Sequence, residues 1–306
     1  MKYCMLLASG AVCAAAAGCA GEVGGDPGSA GGPGAGEAQL GAVEQEVDGN
    51  WAVGPYSWYQ GQATKYLMPV STHVCVLTKA GGRFAGGSEA VRVGNDGNTW
   101  YLTGQSAEAG VNGEAWCYAK GQFLANGSAR WVSGQFEAMT NSSSCTSAST
   151  ATWWGDAATI LTGVSGKLRG YGEKMYVVQS PGGFTSSSLN IESCQQPVRG
   201  WAHSFFAGTP SNGQPVKFYG GEYLADTAYA GSGSNYHEVT MAPTGEAMCY
   251  LTYVAGKFDG SGEWGRIYPT LVSGIERWVL KAKAETYNGA PKPVRVKARC
   301  MKRDQR

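Results

Sequence analysis

The sequence predicts an all-β protein made of three divergent copies of one disulfide-stapled antiparallel unit. Two observations carry this. The pattern Leu-Thr-x-x-x-Gly-basic-apolar-x-Gly-x-x-Glu runs from Leu77 to Glu89, from Leu161 to Glu173 and from Leu251 to Glu263, with the same spacing each time. The segments beside it alternate apolar and polar residues, and no stretch of useful length has a helical period.

The amino terminus reads as an address rather than as part of the fold. Met1-Lys2 precedes an uncharged, largely apolar run from Tyr3 to Ala17, which has the regions of a secretory signal over residues 1–18 and is too short for a comfortable membrane span. Its end, Ala16-Ala17-Gly18-Cys19, resembles the lipobox of bacterial lipoproteins. That resemblance implies cleavage before Cys19, lipid on Cys19 and attachment to a membrane. Ala20 in the next position implies the outer membrane or cell surface. An ordinary secreted chain cleaved nearby is the alternative. Residues 19–49 hold Gly, Pro27, Pro33 and six acids with no Lys or Arg, the composition of a solvated, flexible tether.

Cysteine usage agrees with export. With Cys4 and Cys13 in the signal and Cys19 lipidated, Cys75, Cys117, Cys145, Cys194, Cys249 and Cys300 remain, an even set that favours disulfides in an oxidising compartment. The repeat makes Cys75–Cys117, Cys145–Cys194 and Cys249–Cys300 the most economical pairing. The second copy has Thr159 where the others place Cys75 and Cys249, two residues before the signature Leu, so its pairing is left open.

The units are drawn as residues 50–130, 131–200 and 201–306, opening at Trp51, Trp131 and Trp201, and the third ends in a basic tail. Val74–Thr78, Ala90–Val93, Lys174–Val178, Met248–Thr252, Trp264–Tyr268 and Val294–Cys300 read as strands, and the last places Val294, Val296, Ala298 and Cys300 on a buried face. Asn95-Asp96-Gly97-Asn98 is a turn. Three such copies assemble either as three sheets about a pseudo-threefold axis, as in β-prism or β-trefoil-like folds, or as tandem small β domains. Units of this length are large for a trefoil leaf, and a compact threefold or interlocked assembly over about residues 50–303 is preferred. The unit also loosely resembles Cys-x-Leu-Thr repeat modules of secreted actinobacterial and myxobacterial proteins, a resemblance that implies no activity.

Composition excludes some functions. Among 306 residues, 24 Lys+Arg against 23 Asp+Glu leave a formal charge of +1, which argues against a nucleic-acid binder. Three histidines leave little for metal chemistry, and no metal or cofactor is expected. There is no phosphate-cradling Gly motif and no Gly-x-Ser-x-Gly elbow. His237 with Asp226 and Glu222 is the best catalytic cluster available, and a glycosidase pair would have to come from Glu137, Asp156, Glu222, Asp226, Asp259 and Glu276. Nothing in their spacing selects either. The repeated basic residues Arg83, Lys167 and Lys257 and the glutamates six positions on read as cross-strand pairs rather than three sugar or ion sites. Seven basic residues between Lys292 and Arg306 read as a solvated strand face and tail.

Aromatic side chains are the suggestive surplus, since flat rings stack on sugar faces. Trp153-Trp154 cannot both face inward on one strand, and Trp58 and Tyr59 pose the same question, so Trp58, Tyr59, Trp153 and Trp154 are the ligand-contact candidates. The function expected is a lipid-anchored surface recognition or adhesion module, with carbohydrate as the first ligand class, and no catalytic motif in the sequence competes with that reading, which leaves the question of an enzyme open. The alternatives are a secreted hydrolase of cell-wall or environmental polymer, and a structural envelope protein that binds another protein. Binding by repeats predicts equivalent shallow sites in at least two copies; catalysis predicts one deep asymmetric site.

Overall fold

The structure, a computed structural model, describes residues 45–47, 51–107, 110–122, 135–140, 146–151, 157–179, 187–194, 196–206, 216–231, 234–287 and 290–303. After β1 (Gln45–Val47), the first copy supplies β2 (Ala52–Tyr59), β3 (Lys65–Pro69), β4 (His73–Gly81), β5 (Ala90–Asn95), β6 (Thr99–Gln105) and β7 (Asn112–Ala119). The second supplies β8 (Phe136–Met139), β9 (Thr146–Ala151), β10 (Ala157–Gly166), β11 (Arg169–Val178), β12 (Ser188–Ser193) and β13 (Val198–Phe206). The third supplies β14 (Tyr223–Asp226), β15 (Tyr236–Pro243), β16 (Ala247–Lys257), β17 (Trp264–Val272) and β18 (Ile275–Lys283), a two-residue pair β19 (Thr286–Tyr287) and β20 (Ala290–Pro291), and β21 (Val294–Lys302). The protein is all-β and its pairings are antiparallel; beyond short 3-10 turns, the described residues hold no helix.

None of the three large sheets belongs to one copy. Sheet I runs β1-β2-β7-β4-β17-β18-β15, sheet II β3-β6-β5-β10-β13-β8, and sheet III β14-β21-β16-β11-β12-β9. In each, the first, sixth and third strands of one copy meet the fourth, fifth and second strands of another. The junctions β4–β17, β10–β5 and β16–β11 join the copies in a closed cycle. This interlocking replaces the tandem-domain alternative, because every copy gives half its strands to each of two sheets. It also places β13, which pairs with β10 and β8, in the second copy, so Trp201 lies on that copy's last strand and does not open the third.

The repeated signature is legible in this frame. In all three third strands the register slips at the signature Thr: Leu77 pairs with Ala115 and Lys79 with Glu114, Leu161 with Ala202 and Gly163 with Trp201, Leu251 with Ala298 and Tyr253 with Lys297. Thr78, Thr162 and Thr252 are thus the extra residues of three identical β-bulges. A bulge turns two successive side chains inward, and Leu77, Thr78, Leu161, Thr162, Leu251 and Thr252 are all buried. The signature Gly ends the strand at positive φ, 93° at Gly82, 107° at Gly166 and 131° at Gly256, and a Cβ there would run into the carbonyl of Gly110, Pro197 or Pro293.

The apolar residue two further on closes the molecule's centre. Phe84 N–H donates to the Phe258 carbonyl at 2.7 Å, Phe258 N–H to Leu168 at 3.0 Å, and Leu168 N–H to Phe84 at 3.0 Å. The three strands leading into this ring, β4, β10 and β16, pack against one another in every pairing. All three ring residues are buried, and Phe84 and Phe258 meet edge to face with centroids 6.0 Å apart.

Within each copy the fourth and sixth strands lie in different sheets and pack face to face by size. Gly113 lies under Val91 in the first copy and Gly200 near Met175 in the second; in the third the roles exchange, with Gly265 under Val296. The third and sixth strands are stapled at one register position, Cys75–Cys117 and Cys249–Cys300. Loops of 42 and 51 residues make each bridge worth about 4 kcal/mol in the chain-entropy account. In the second copy the same position pairs Thr159 with Ser204, whose hydroxyls hydrogen-bond at 2.8 Å. Cys194 is disulfide-bonded, and Cys145 lies outside the described residues. Disulfides mark the chain as one that matures outside the reducing cytoplasm, and among the described residues no helix is long and apolar enough to cross a membrane.

Gly166→Ala combines backbone strain with a clash against Pro197 and Val198 at the central ring. It is expected to destabilise the fold by about 2–4 kcal/mol, read by urea denaturation of the oxidised protein. A loss below about 1 kcal/mol would show that the ring tolerates opening.

Candidate ligand-binding surface

Side chains along a strand alternate between faces. Since Ala80, Val164 and Val254 face the core, the residues before them, Lys79, Gly163 and Tyr253, face away from it. Each stands beside one residue of the sixth strand (Glu114, Trp201, Lys297) and one of the neighbouring copy's fourth strand (Arg266, Arg92, Tyr176). The three sheets therefore present equivalent outward rows at the junctions between copies, filled with different chemistry.

In sheet I the row is closed by charge. Glu114, buried, accepts from Arg266 Nε at 2.7 Å and lies 3.4 Å from Lys79 Nζ, while Lys281 pairs with Glu238 at 2.6 Å. In sheet II the row surrounds Trp201, whose indole N–H donates to Glu137 at 2.9 Å. The guanidinium carbons of Arg92 and Arg199 stand 5.4 and 5.7 Å from that ring. Gly163 is what makes room, because a Cβ there would come within 2.8 Å of the indole and 3.0 Å of Arg92. The row borders a depression of about 420 Å³, lined also by Ser88, Thr103, Gln105 and Ser165.

In sheet III the row is aromatic. Tyr176 and Tyr253 lie with ring centroids 5.9 Å apart, and Lys297 Nζ is 5.3 Å from the Tyr253 ring and 2.8 Å from Glu222. Depressions of about 280 and 240 Å³ flank Tyr176, the first walled by Ser149 and Asn190, the second by Gln179, Tyr253 and Arg299. Burial, with the hydrogen bond to Glu192, pushes the Tyr176 hydroxyl up to about 12, so it stays a neutral donor at any physiological pH.

Of the ligand-contact candidates, Trp58 and Tyr59 do not line these depressions. Trp58 is 2% exposed, wedged against Gly104 of sheet II and donating its indole N–H to the Gln62 carbonyl at 3.0 Å; it is core, with no face left for a ligand. Tyr59, at the end of β2, is 39% exposed. Trp153 and Trp154 lie outside the described residues.

The catalytic alternatives resolve into structural pairs. The Asp226 carboxylate is buried and taken by Arg295, Tyr171 and the Ala228 N–H, and His237 Nδ1 accepts from the Asp226 backbone N–H at 3.1 Å. Glu222 holds Lys297 and Thr252, Glu276 holds Thr244, and Asp259 holds Lys292 and Lys257. Asp156 lies outside the described residues. Among the described residues no group of His, Cys, Asp and Glu is arranged to hold a metal ion.

The signature glutamates are not surface cross-strand partners of the basic residues. Glu89, Glu173 and Glu263 are all buried, and Lys257 pairs with Asp259 at 3.1 Å. Glu263 folds back under its own loop, accepting from Gly260 N–H at 2.9 Å and from Lys292 at 2.9 Å.

Comparison with known proteins brings no match: no family model, no curated sequence and no solved structure matches the chain.

Arg92, Arg199, Tyr176 and Tyr253 were not singled out from sequence. The one available signal was the variable position after Leu-Thr, where Lys79, Gly163 and Tyr253 differ within an otherwise constant pattern.

Burial, reinforced by Glu285, holds the Glu263 carboxyl above its ordinary value of 4.5 despite Lys292. Its contribution to stability is full below that value and is lost as pH rises through the higher folded value. The melting temperature of Glu263→Gln relative to the parent protein is therefore expected to increase between about pH 4 and pH 7. A constant difference would place the cost of ionisation elsewhere.

Proposed function

We propose that the chain is an exported, surface-displayed recognition module that binds saccharide on the outward rows of sheets II and III. One observation carries the reading: the same register positions at two copy junctions border shallow, open depressions that combine aromatic rings with hydroxyl, amide and basic groups. Rings supply flat apolar contact and the polar groups match sugar hydroxyls. Equivalent shallow sites in two sheets favour binding over catalysis, and the carboxylates that a glycosidase would need are engaged in structural pairs wherever they are described.

The proposal includes a pseudo-threefold arrangement of the sheets and lipidation at Cys19, with the acidic Gly/Pro tether carrying the folded part clear of an outer-membrane or cell-surface anchor. The Ala16-Ala17-Gly18-Cys19 pattern and the disulfides support that placement.

Polysaccharide-array binding with tryptophan fluorescence as readout tests the site. Tyr176→Ala and Tyr253→Ala are each expected to weaken binding by about two- to tenfold, the worth of an aromatic contact, with the melt unchanged. Unchanged affinity in both would remove sheet III from the site. Cell fractionation tests the anchor: Cys19→Ala should shift the protein from the membrane to the soluble fraction, and an unmoved protein would refute lipidation.

A further inference from the structure

We infer that the depression on sheet II holds the anionic group, a carboxylate or sulfate ester, of an acidic saccharide. This rests on the saccharide-binding reading and adds the ligand's charge. The argument begins with which surface cations are neutralised. On sheet I, Lys79 and Arg266 share Glu114 and Lys281 has Glu238; on sheet III, Lys174 has Glu192, Arg295 has Asp226 and Lys297 has Glu222. Arg299 of sheet III has no ion pair among the described residues and donates to Gln179 at 3.3 Å, but it stands singly beside Phe218. Arg92 and Arg199 differ in standing together over one ring. Arg92 donates to the Tyr101 hydroxyl at 3.3 Å and Arg199 to the Met139 sulfur at 2.9 Å, and among the described residues neither forms an ion pair.

These two guanidiniums are nonetheless held in place. Both lie against Trp201, and Glu137, the carboxylate facing Trp201 across the β8–β13 pair, accepts the indole N–H. Stacking orders a guanidinium without consuming its charge and leaves N–H groups for an oxyanion, to which arginine binds in a planar fork. Around them, Ser88, Thr103, Gln105 and Ser165 offer hydroxyl and amide groups suited to the rest of a sugar ring. The volume of about 420 Å³ falls within the roughly 300–1,000 Å³ of small-molecule sites. With a net charge of only +1, the attraction is local to this pair rather than a property of the whole molecule. The depression also draws its walls from two copies, Ser88 to Gln105 from the first and Met139 to Trp201 from the second, so it exists only because the copies interlock.

The test is titration of the full-length protein with dextran sulfate, polygalacturonate and neutral dextran at fixed ionic strength. At least one acidic polymer is expected to bind about tenfold or more tightly than dextran, and Arg92→Gln and Arg199→Gln each to cost about tenfold. Lys283→Gln, which removes one charge from sheet I, should change nothing. Should either glutamine variant lose its cooperative melt, Arg92→Lys and Arg199→Lys keep the charge and stem, and are expected to weaken binding severalfold. Dextran binding as tightly as the acidic polymers, with the arginine variants unaffected, overturns the inference while the saccharide reading stands. Equal losses in Lys283→Gln overturn it in favour of diffuse charge attraction. Binding of none of the three polymers, nor of any array glycan, overturns both.

Discussion

Three backbone hydrogen bonds at the centre, running among Phe84, Leu168 and Phe258, are the constraint from which the rest of the architecture follows. They are made by main-chain atoms of three segments distant in sequence, so each copy must deliver its signature to the same place in the same conformation. The bulge at the signature Thr turns Leu and Thr inward together, the glycine at positive φ redirects the chain, and the next apolar residue seals the junction. A buried backbone N–H left without a partner is costly, so the ring is closed by all three copies or by none.

Interlocking has a functional consequence. Because the third strand of one copy pairs with the fourth strand of another, the outward row at every junction is composed of residues from two copies. The inward rows are held by packing and hydrogen bonding, and they tolerate change only in compensating pairs: glycine and a larger residue exchange places between the fourth and sixth strands of the third copy, and a hydroxyl pair stands in for a disulfide in the second. The outward rows carry no such constraint. One became an ion-pair network, one an aromatic platform, and one a tryptophan flanked by two arginines.

Buried carboxylates mark where the fold tolerates electrostatic cost. Glu263 takes a backbone N–H and Lys292, against whose burial Asp259 and Glu263 together hold the ammonium more basic than usual. Glu89 Oε2 and Glu173 Oε1, the counterparts in the other copies, find no hydrogen-bond partner among the described residues. The three glutamates thus share burial without sharing a charge balance.

Much of the fold was legible in the sequence because its signals are local. Strand alternation in Val294 to Cys300, the turn at Asn95 to Asn98 and the pairing of Cys75 with Cys117 and of Cys249 with Cys300 each depend on a few neighbouring residues or on repeat position. The candidate site was scarcely legible. Trp58 looked like a ligand contact and is core, because its burial depends on Gly104 of another sheet. Trp201 looked like the start of a unit and lies on a closing strand, flanked by Arg92, which is remote in sequence. The sequence by itself determined the β class, the repeat and the oxidised cysteines, since periodicity, spacing and parity are properties of one strand or one copy at a time. Only the tertiary structure decided which copy pairs with which and which charges remain unneutralised, because both depend on hydrogen bonds and contacts between segments with no relation along the chain.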